Sequence, residues 1–182
     1  DSVYSTIGIL HALQQIADRY IILGEVRGDM VDINKNAKAS LRNLSEFNFD
    51  DDNEYLQVRD YYNVINNCNY LIAHMDTTIR HNNERVMTDE YVAALSIRAW
   101  TYMQMALNYG KVPYYTNPIT LVADADPSLY PHYDVKELAL VLIPQLLPYM
   151  DYKLPAWSGL EVGGIELSNE QSYLLFPPIQ LI

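Results

Sequence analysis

One stretch limits what this chain can fold into: DEYVAALSIRAWTYMQMALNYGKVP, from Asp89 to Pro113. It has a marked start, an unbroken helical period and a hard stop. Thr88 is placed to cap it, and Asp89 and Glu90 put negative charge on the positive end of the helix dipole. Val92, Leu95, Ala99, Tyr102, Ala106 and Tyr109 recur at three- and four-residue steps and define one apolar face. Gly110 is placed to take the left-handed conformation that closes a helix, and Pro113 forbids its continuation. A chain organised around this helix is a helical domain. Periodicity alone gives it no function.

The other segments supply partners for that helix. Residues 3–23 read as a first helix, with Ile9, Leu13, Ile16, Tyr20 and Leu23 on one face and Gly24 as its stop. Residues 53–76 read as a second, with Val58, Tyr62, Ile65, Asn69 and Ile72 on one face. Asn66, Asn67 and Asn69 are poor helix formers at such density. If Asn69 is buried it must be hydrogen-bonded, and one bond to a neighbouring helix would fix the register. The helix at 89–109 follows as the antiparallel partner, with Trp100 packing in the core. A helix at 134–150 opens on an Asp134/Glu137 capping box, is lined by Leu138, Leu142 and Leu146, and is kinked or interrupted at Pro144.

Between the helices the period fails. Residues 25–50 read as a long polar loop, the kind that carries function or conformational freedom. Within it, Arg27-Gly28-Asp29 reads as a turn with Gly28 at positive φ, in preference to an adhesion motif. The acids Asp50, Asp51, Asp52 and Glu54 read as a helix start, with Asp51 and Glu54 at capping-box spacing, in preference to a calcium site. Residues 77–87 are a polar connector, and 111–133 a proline-rich extended surface segment. LEVGGIEL suggests a hairpin over 160–167, and Ser168 with Gln171 a further capping box. Apolar pattern runs to both ends. The expectation is a single domain over 1–182, truncated from the front part of a longer protein.

Composition removes several function classes. A net charge of -11 with only 12 scattered Lys and Arg makes nucleic acid a poor partner. The longest apolar run, Leu138 to Leu147, contains Pro144 and Gln145 and falls short of the roughly 20 residues a membrane span needs. The single cysteine, Cys68, allows no internal disulfide and reads as a small buried helix residue. No P-loop, dinucleotide fingerprint, nucleophile elbow or HExxH occurs, and His11, His74, His81 and His132 lack metal-ligand spacing. No pair of carboxylates stands out for hydrolysis. The expectation is a protein that is not an enzyme and has no metal or cofactor. Tyrosine is over-used, at 16 against 3 Phe and 2 Trp. It suits half-buried helix packing first, and a sugar- or peptide-facing surface second.

The second and third helices carry a resemblance. Tyr62, Ile65, Asn66, Cys68 and Asn69 in YYNVINNCNYLI, then Glu90, Ala94, Arg98, Ala99 and Tyr102 in EYVAALSIRAWTYM, then Tyr109-Gly110-Lys111-Val112-Pro113, look like the first helix pair of the SusD/RagB family. VRGDMVD, from Val26 to Asp32, resembles that family's short acidic motif after its first helix, and LLFPPIQLI the start of a later helix. The resemblance implies an all-α SusD-like fold with tetratricopeptide-like antiparallel helix pairs and a minor β-hairpin. It implies a surface-exposed outer-membrane lipoprotein. Such a protein binds an oligosaccharide, or sometimes a peptide, for uptake through a SusC-like TonB-dependent transporter. Two departures stand out. The chain is short for the family, and no N-terminal lipidated cysteine is present, since Cys68 lies mid-helix. Any membrane attachment would thus use a lipid anchor absent from this chain.

Asp29 matches the motif position where some members place a ligand-contacting acid, and Arg27, Arg42 and Tyr55 lie near it in sequence. Trp157, in LPAWSGLE, is a candidate aromatic platform, because a pyranose offers one apolar face within a rim of hydroxyls. These five are the expected ligand-binding residues. Two rivals stand beside glycan binding: a helical-repeat adaptor for proteins or peptides only, and a glycan-cleaving enzyme.

Overall fold

A computed structural model describes residues 2–28, 30–85 and 88–151, together with strand residues 161–162 and 165–166. The chain is mainly helical: α1 (Ser2–Glu25), α2 (Ala39–Ser45), α3 (Arg59–His74), α4 (Thr88–Tyr109) and α5 (Val135–Leu146). Among the described residues, three antiparallel two-residue pairs accompany them: β1 (Arg80–His81) with β2 (Glu84–Arg85), β3 (Val112–Pro113) with β4 (His132–Tyr133), and β5 (Glu161–Val162) with β6 (Ile165–Glu166). The last pair falls on the expected hairpin. Gly163-Gly164, Ser168 and Gln171 lie outside the described residues. No helix among the described residues is long and apolar enough to cross a membrane.

Helix α4 is the hub, packing on α1, α3 and α5. Every residue from Val92 to Ala99 is buried, so this helix is wrapped on all sides, beyond the single stripe read from its sequence. Its core neighbours are Ile9 and Ile16 from α1, Tyr61, Val64, Ile65 and Cys68 from α3, and Leu138, Leu142 and Leu146 from α5. Trp100 is half-buried, its ring edge-on to Tyr20 at 4.9 Å. Burial pushes the Cys68 thiol up to about 12, against the opposing pull of the Arg98 charge.

Gly110 closes α4 at φ +80°, its amide bonded to the Ala106 carbonyl at 2.9 Å. A Cβ there would meet nothing within 4 Å, so the requirement for glycine is conformational. Gly110→Ala should cost about 1 kcal/mol in urea denaturation, and Gly110→Asn less, because asparagine tolerates this region better. Equal stability of Gly110→Ala and the parent would show that the turn relaxes.

Several boundaries differ from the sequence expectations. Gly24 is an ordinary residue of α1, which ends at Glu25. Gly28 turns the chain through its amide on the Glu25 carbonyl, and its φ is not positive. The loop expected over 25–50 contains α2. Leu44 there is fully buried against Leu23 and Val26, a small satellite core that pays for the turns around it. The second helix starts at Arg59, not 53, and Asp51 and Glu54 form no capping box. Instead the Asn53 side chain accepts from the Tyr55 amide and caps a 3-10 turn, Glu54–Leu56. The buried face of α3 is Tyr61, Val64, Ile65, Cys68, Asn69 and Leu71, rotated from the expected stripe, and Val58 is exposed. The connector 77–87 holds the β1–β2 hairpin, turned by Asn82 and Asn83 at φ 50° and 66°. Two consecutive positive φ values match a two-residue turn of type I′. Thr88 begins α4, but its buried hydroxyl has no hydrogen-bond partner, so it does not act as a side-chain cap.

The start of α5 follows its sequence. Asp134 accepts from the Lys136 and Glu137 amides at 2.9 Å, and Glu137 accepts from the Asp134 amide at 2.9 Å. Pro144 does not end the helix, which runs to Leu146 and then tightens into a 3-10 turn at Leu147–Tyr149.

Candidate functional site

Residues 111–133 run mostly outside regular pairing, and their backbone groups still need partners. Side chains on two helices supply them. On α3, Tyr62 donates its hydroxyl to the Pro113 carbonyl at 3.0 Å. One turn on, Asn66 donates to the Ile119 carbonyl at 3.0 Å and accepts from the Ile119 amide at 2.7 Å. A further turn on, buried Asn69 donates to the Tyr115 carbonyl at 3.3 Å. On α4, the Tyr102 hydroxyl donates to the same Tyr115 carbonyl at 2.7 Å and accepts from the Tyr115 amide at 3.1 Å. The asparagines that weaken α3 as a helix are thus the clamps that fasten the segment beside it. Asn69 also accepts from Arg98 of α4 at 2.8 Å, the inter-helix bond expected of a buried asparagine.

Fastened this way, the segment stands off α3 and leaves a groove of about 310 Å³. Helix α3 lines it with Arg59, Tyr62, Asn63 and Asn66. The segment lines it with Pro113, Tyr115, Ile119, Pro127 and Tyr130 among others. The Tyr62 and Tyr115 rings stack at 5.7 Å with 18° between planes, and Tyr130 leans on Tyr115 at 5.0 Å. Tyr130 is fixed by a hydrogen bond from its hydroxyl to the Asp124 carbonyl at 2.6 Å. Burial, with a phenol for a neighbour, pushes the Tyr62 and Tyr115 hydroxyls far above their ordinary value, so both stay neutral at physiological pH. Arg59 and Asn63 are exposed at the rim.

Aromatic and proline surface offers a flat apolar contact, while Arg59 and Asn63 offer donors, and Asn63 an acceptor, at the edge. No carboxylate, histidine or cysteine is among the described residues lining the groove. Among the described residues no group of three or more His, Cys, Asp or Glu could hold a metal ion.

The residues expected from sequence sit elsewhere or are not described. Arg27 donates to the Leu23 carbonyl at 2.5 Å and to the Asn108 side chain, tying the end of α1 to α4. Arg42 donates to the Ala37 and Lys35 carbonyls at 2.9 and 3.3 Å, fastening the turn before α2. Tyr55 is half-buried on the Leu23, Val26 and Leu44 cluster. Arg27 and Tyr55 therefore flank one satellite core, and none of the three lines the groove. Asp29 and Trp157 lie outside the described residues.

The sequence did carry a signal for Tyr62, Tyr115 and Tyr130, in its tyrosine excess and in the asparagines spaced along one helix. What it lacked was the pairing of positions 62–69 with 113–119, which only the fold supplies. No family model matches the chain, and neither does a curated protein or a solved structure.

Proposed function

We propose that this chain binds an oligosaccharide without cleaving it, as a SusD-like nutrient-binding protein, and that the groove between α3 and residues 113–130 is the binding site. The observation that carries the reading is the tyrosine wall, Tyr62, Tyr115 and Tyr130, set against a rim of Arg59 and Asn63. A sugar ring has one apolar face for such a wall and hydroxyls for such a rim. The resemblance over Tyr62 to Pro113 supports the biology of the reading: tetratricopeptide-like helix pairs, the outer-membrane surface, a lipid anchor, and delivery to a SusC-like TonB-dependent transporter.

The test is a screen of the chain against malto-, cello-, xylo- and manno-oligosaccharides, followed by calorimetry on whichever series binds. Tyr130→Ala is expected to weaken binding about tenfold, the loss of roughly one stacking contact. Tyr130 packs at the groove edge rather than in the core, so the variant should keep its helical circular dichroism. Binding by no oligosaccharide, or equal binding by Tyr130→Ala, would remove this reading.

A protein-binding adaptor is the second reading. Leu140, Ile143 and Leu147 are exposed at helical spacing on and just beyond α5, an apolar stripe of the kind that meets protein. Pull-down of a peptide or protein partner that survives Tyr130→Ala and fails with Ile143→Glu would favour it.

A further inference from the structure

A second recess, of about 320 Å³, opens between α1 and α3. It is lined by Gly8, His11, Ala12 and Gln15 from α1, and by Asp60, Asn63, Asn66 and Asn67 from α3. Asn63 and Asn66 also line the tyrosine groove, so the two hollows meet across these carboxamides. Their characters differ. The groove is aromatic. Among the described residues lining the recess, His11 alone carries an aromatic ring, and their polar side chains are amide and imidazole with one carboxylate. That carboxylate, Asp60, is paired with Arg19 at 2.5 Å. His11, Gln15, Asn63 and Asn67 are exposed.

Gly8 gives an independent indication. It lies inside α1, where glycine is among the poorest residues. Its φ is not left-handed, and a Cβ built on it would meet nothing within 4 Å. Neither backbone geometry nor packing requires a glycine there. The missing side chain simply leaves the recess open.

Each hollow alone is near the lower limit of roughly 300–1,000 Å³ typical of ligand pockets. Side by side at Asn63 and Asn66, they suit a ligand longer than one ring. We infer that the groove and the α1–α3 recess are two subsites of one cleft, which takes a chain of at least two sugar units. One unit stacks on the tyrosine wall, and the next meets the amides of Asn63, Asn67 and Gln15 and the His11 imidazole through its hydroxyls. This rests on the glycan reading above. It adds that the site measures chain length.

The experiment is calorimetry with malto-, cello-, xylo- and manno-oligosaccharides of one to six units against the chain, Gly8→Leu and a His11→Ala/Gln15→Ala double variant. Gly8→Leu fills the recess from a helix position with room for it. The parent is expected to bind the trimer and longer oligomers at least tenfold more tightly than the monosaccharide. In Gly8→Leu that gain collapses to under threefold, and in the double variant it falls by several-fold. A length gain that survives both variants overturns the second subsite while leaving glycan binding intact, as does affinity independent of length. Absence of binding to every saccharide overturns the glycan reading and this inference together.

Discussion

Arg98→Leu is expected to destabilise the chain by about 2–5 kcal/mol, lowering the melting temperature by roughly 10 °C for a domain of this size. The guanidinium lies on the hub helix α4 and is 3% exposed. It donates to the Asn69 side-chain oxygen at 2.8 Å and to the Gln145 side-chain oxygen at 2.6 Å. No ion pair joins it to a carboxylate among the described residues. A buried cation is thus held by two neutral amides, one from α3 and one from α5. Leucine would leave the buried Asn69 acceptor unpaired, at a cost of about 1–3 kcal/mol, and would strip the half-buried Gln145 acceptor of its donor.

The damage would spread, because those amides have second engagements. Gln145 donates to the Tyr114 hydroxyl at 2.8 Å and to the Val141 carbonyl at 2.6 Å, and Asn69 holds the Tyr115 carbonyl. Arg98→Lys should recover only part of the loss, since an ammonium is a point donor and does not span the fork between two helices. Chemical denaturation with an unchanged slope reads the effect directly. A loss below about 0.5 kcal/mol would mean that water takes over both amides, and that the network is not structural.

The largest expected effect on binding belongs to Asn66→Ala. Its carboxamide is the only described contact that holds both backbone groups of Ile119. Without it the segment side of the groove loses its middle attachment, while Tyr62 and Tyr102 still hold Pro113 and Tyr115. Oligosaccharide affinity should fall more than tenfold. Stability should fall by only about 1–2 kcal/mol, because the site is partly buried and water can reach the freed groups. Asn66→Asp should weaken binding at least as much, because a carboxylate turns an acceptor toward the Ile119 carbonyl where a donor stood. Amide exchange at Ile119 monitors the clamp independently. Faster exchange with unchanged affinity would place the ligand elsewhere.

The parts of this fold that were legible in the sequence are those set by neighbours in sequence. The ends of α4 follow from Asp89, Glu90 and Gly110, and the start of α5 from Asp134 and Glu137. Leu138, Leu142 and Leu146 announced their own burial by spacing. Where tertiary contacts decide, the reading slipped. The stripe through Val58 and Tyr62 was as periodic as the true one through Tyr61, Val64 and Cys68, and only packing between α1 and α4 chooses between them. Helix α2 is two turns long and is stabilised by burying Leu44, which no local pattern reveals. The candidate site was hidden for the same reason. Its defining bonds join residues 46 to 53 positions apart, so Asn66 and Asn69 look like flaws in a helix until Tyr115 and Ile119 are brought beside them.

The attachment of residues 113–119 has a consequence for how proteins built this way can diverge. Every clamp from α3 and α4 grips a main-chain carbonyl or amide, at Pro113, Tyr115 and Ile119. None of these bonds depends on the identity of the side chain it holds. Positions along that wall are therefore open to exchange of aromatic for polar or bulky for small residues while the clamps stay in place. On the proposed reading, ligand preference can drift there at little cost to the scaffold, whereas the clamping residues, Tyr62, Asn66, Asn69 and Tyr102, have no such freedom.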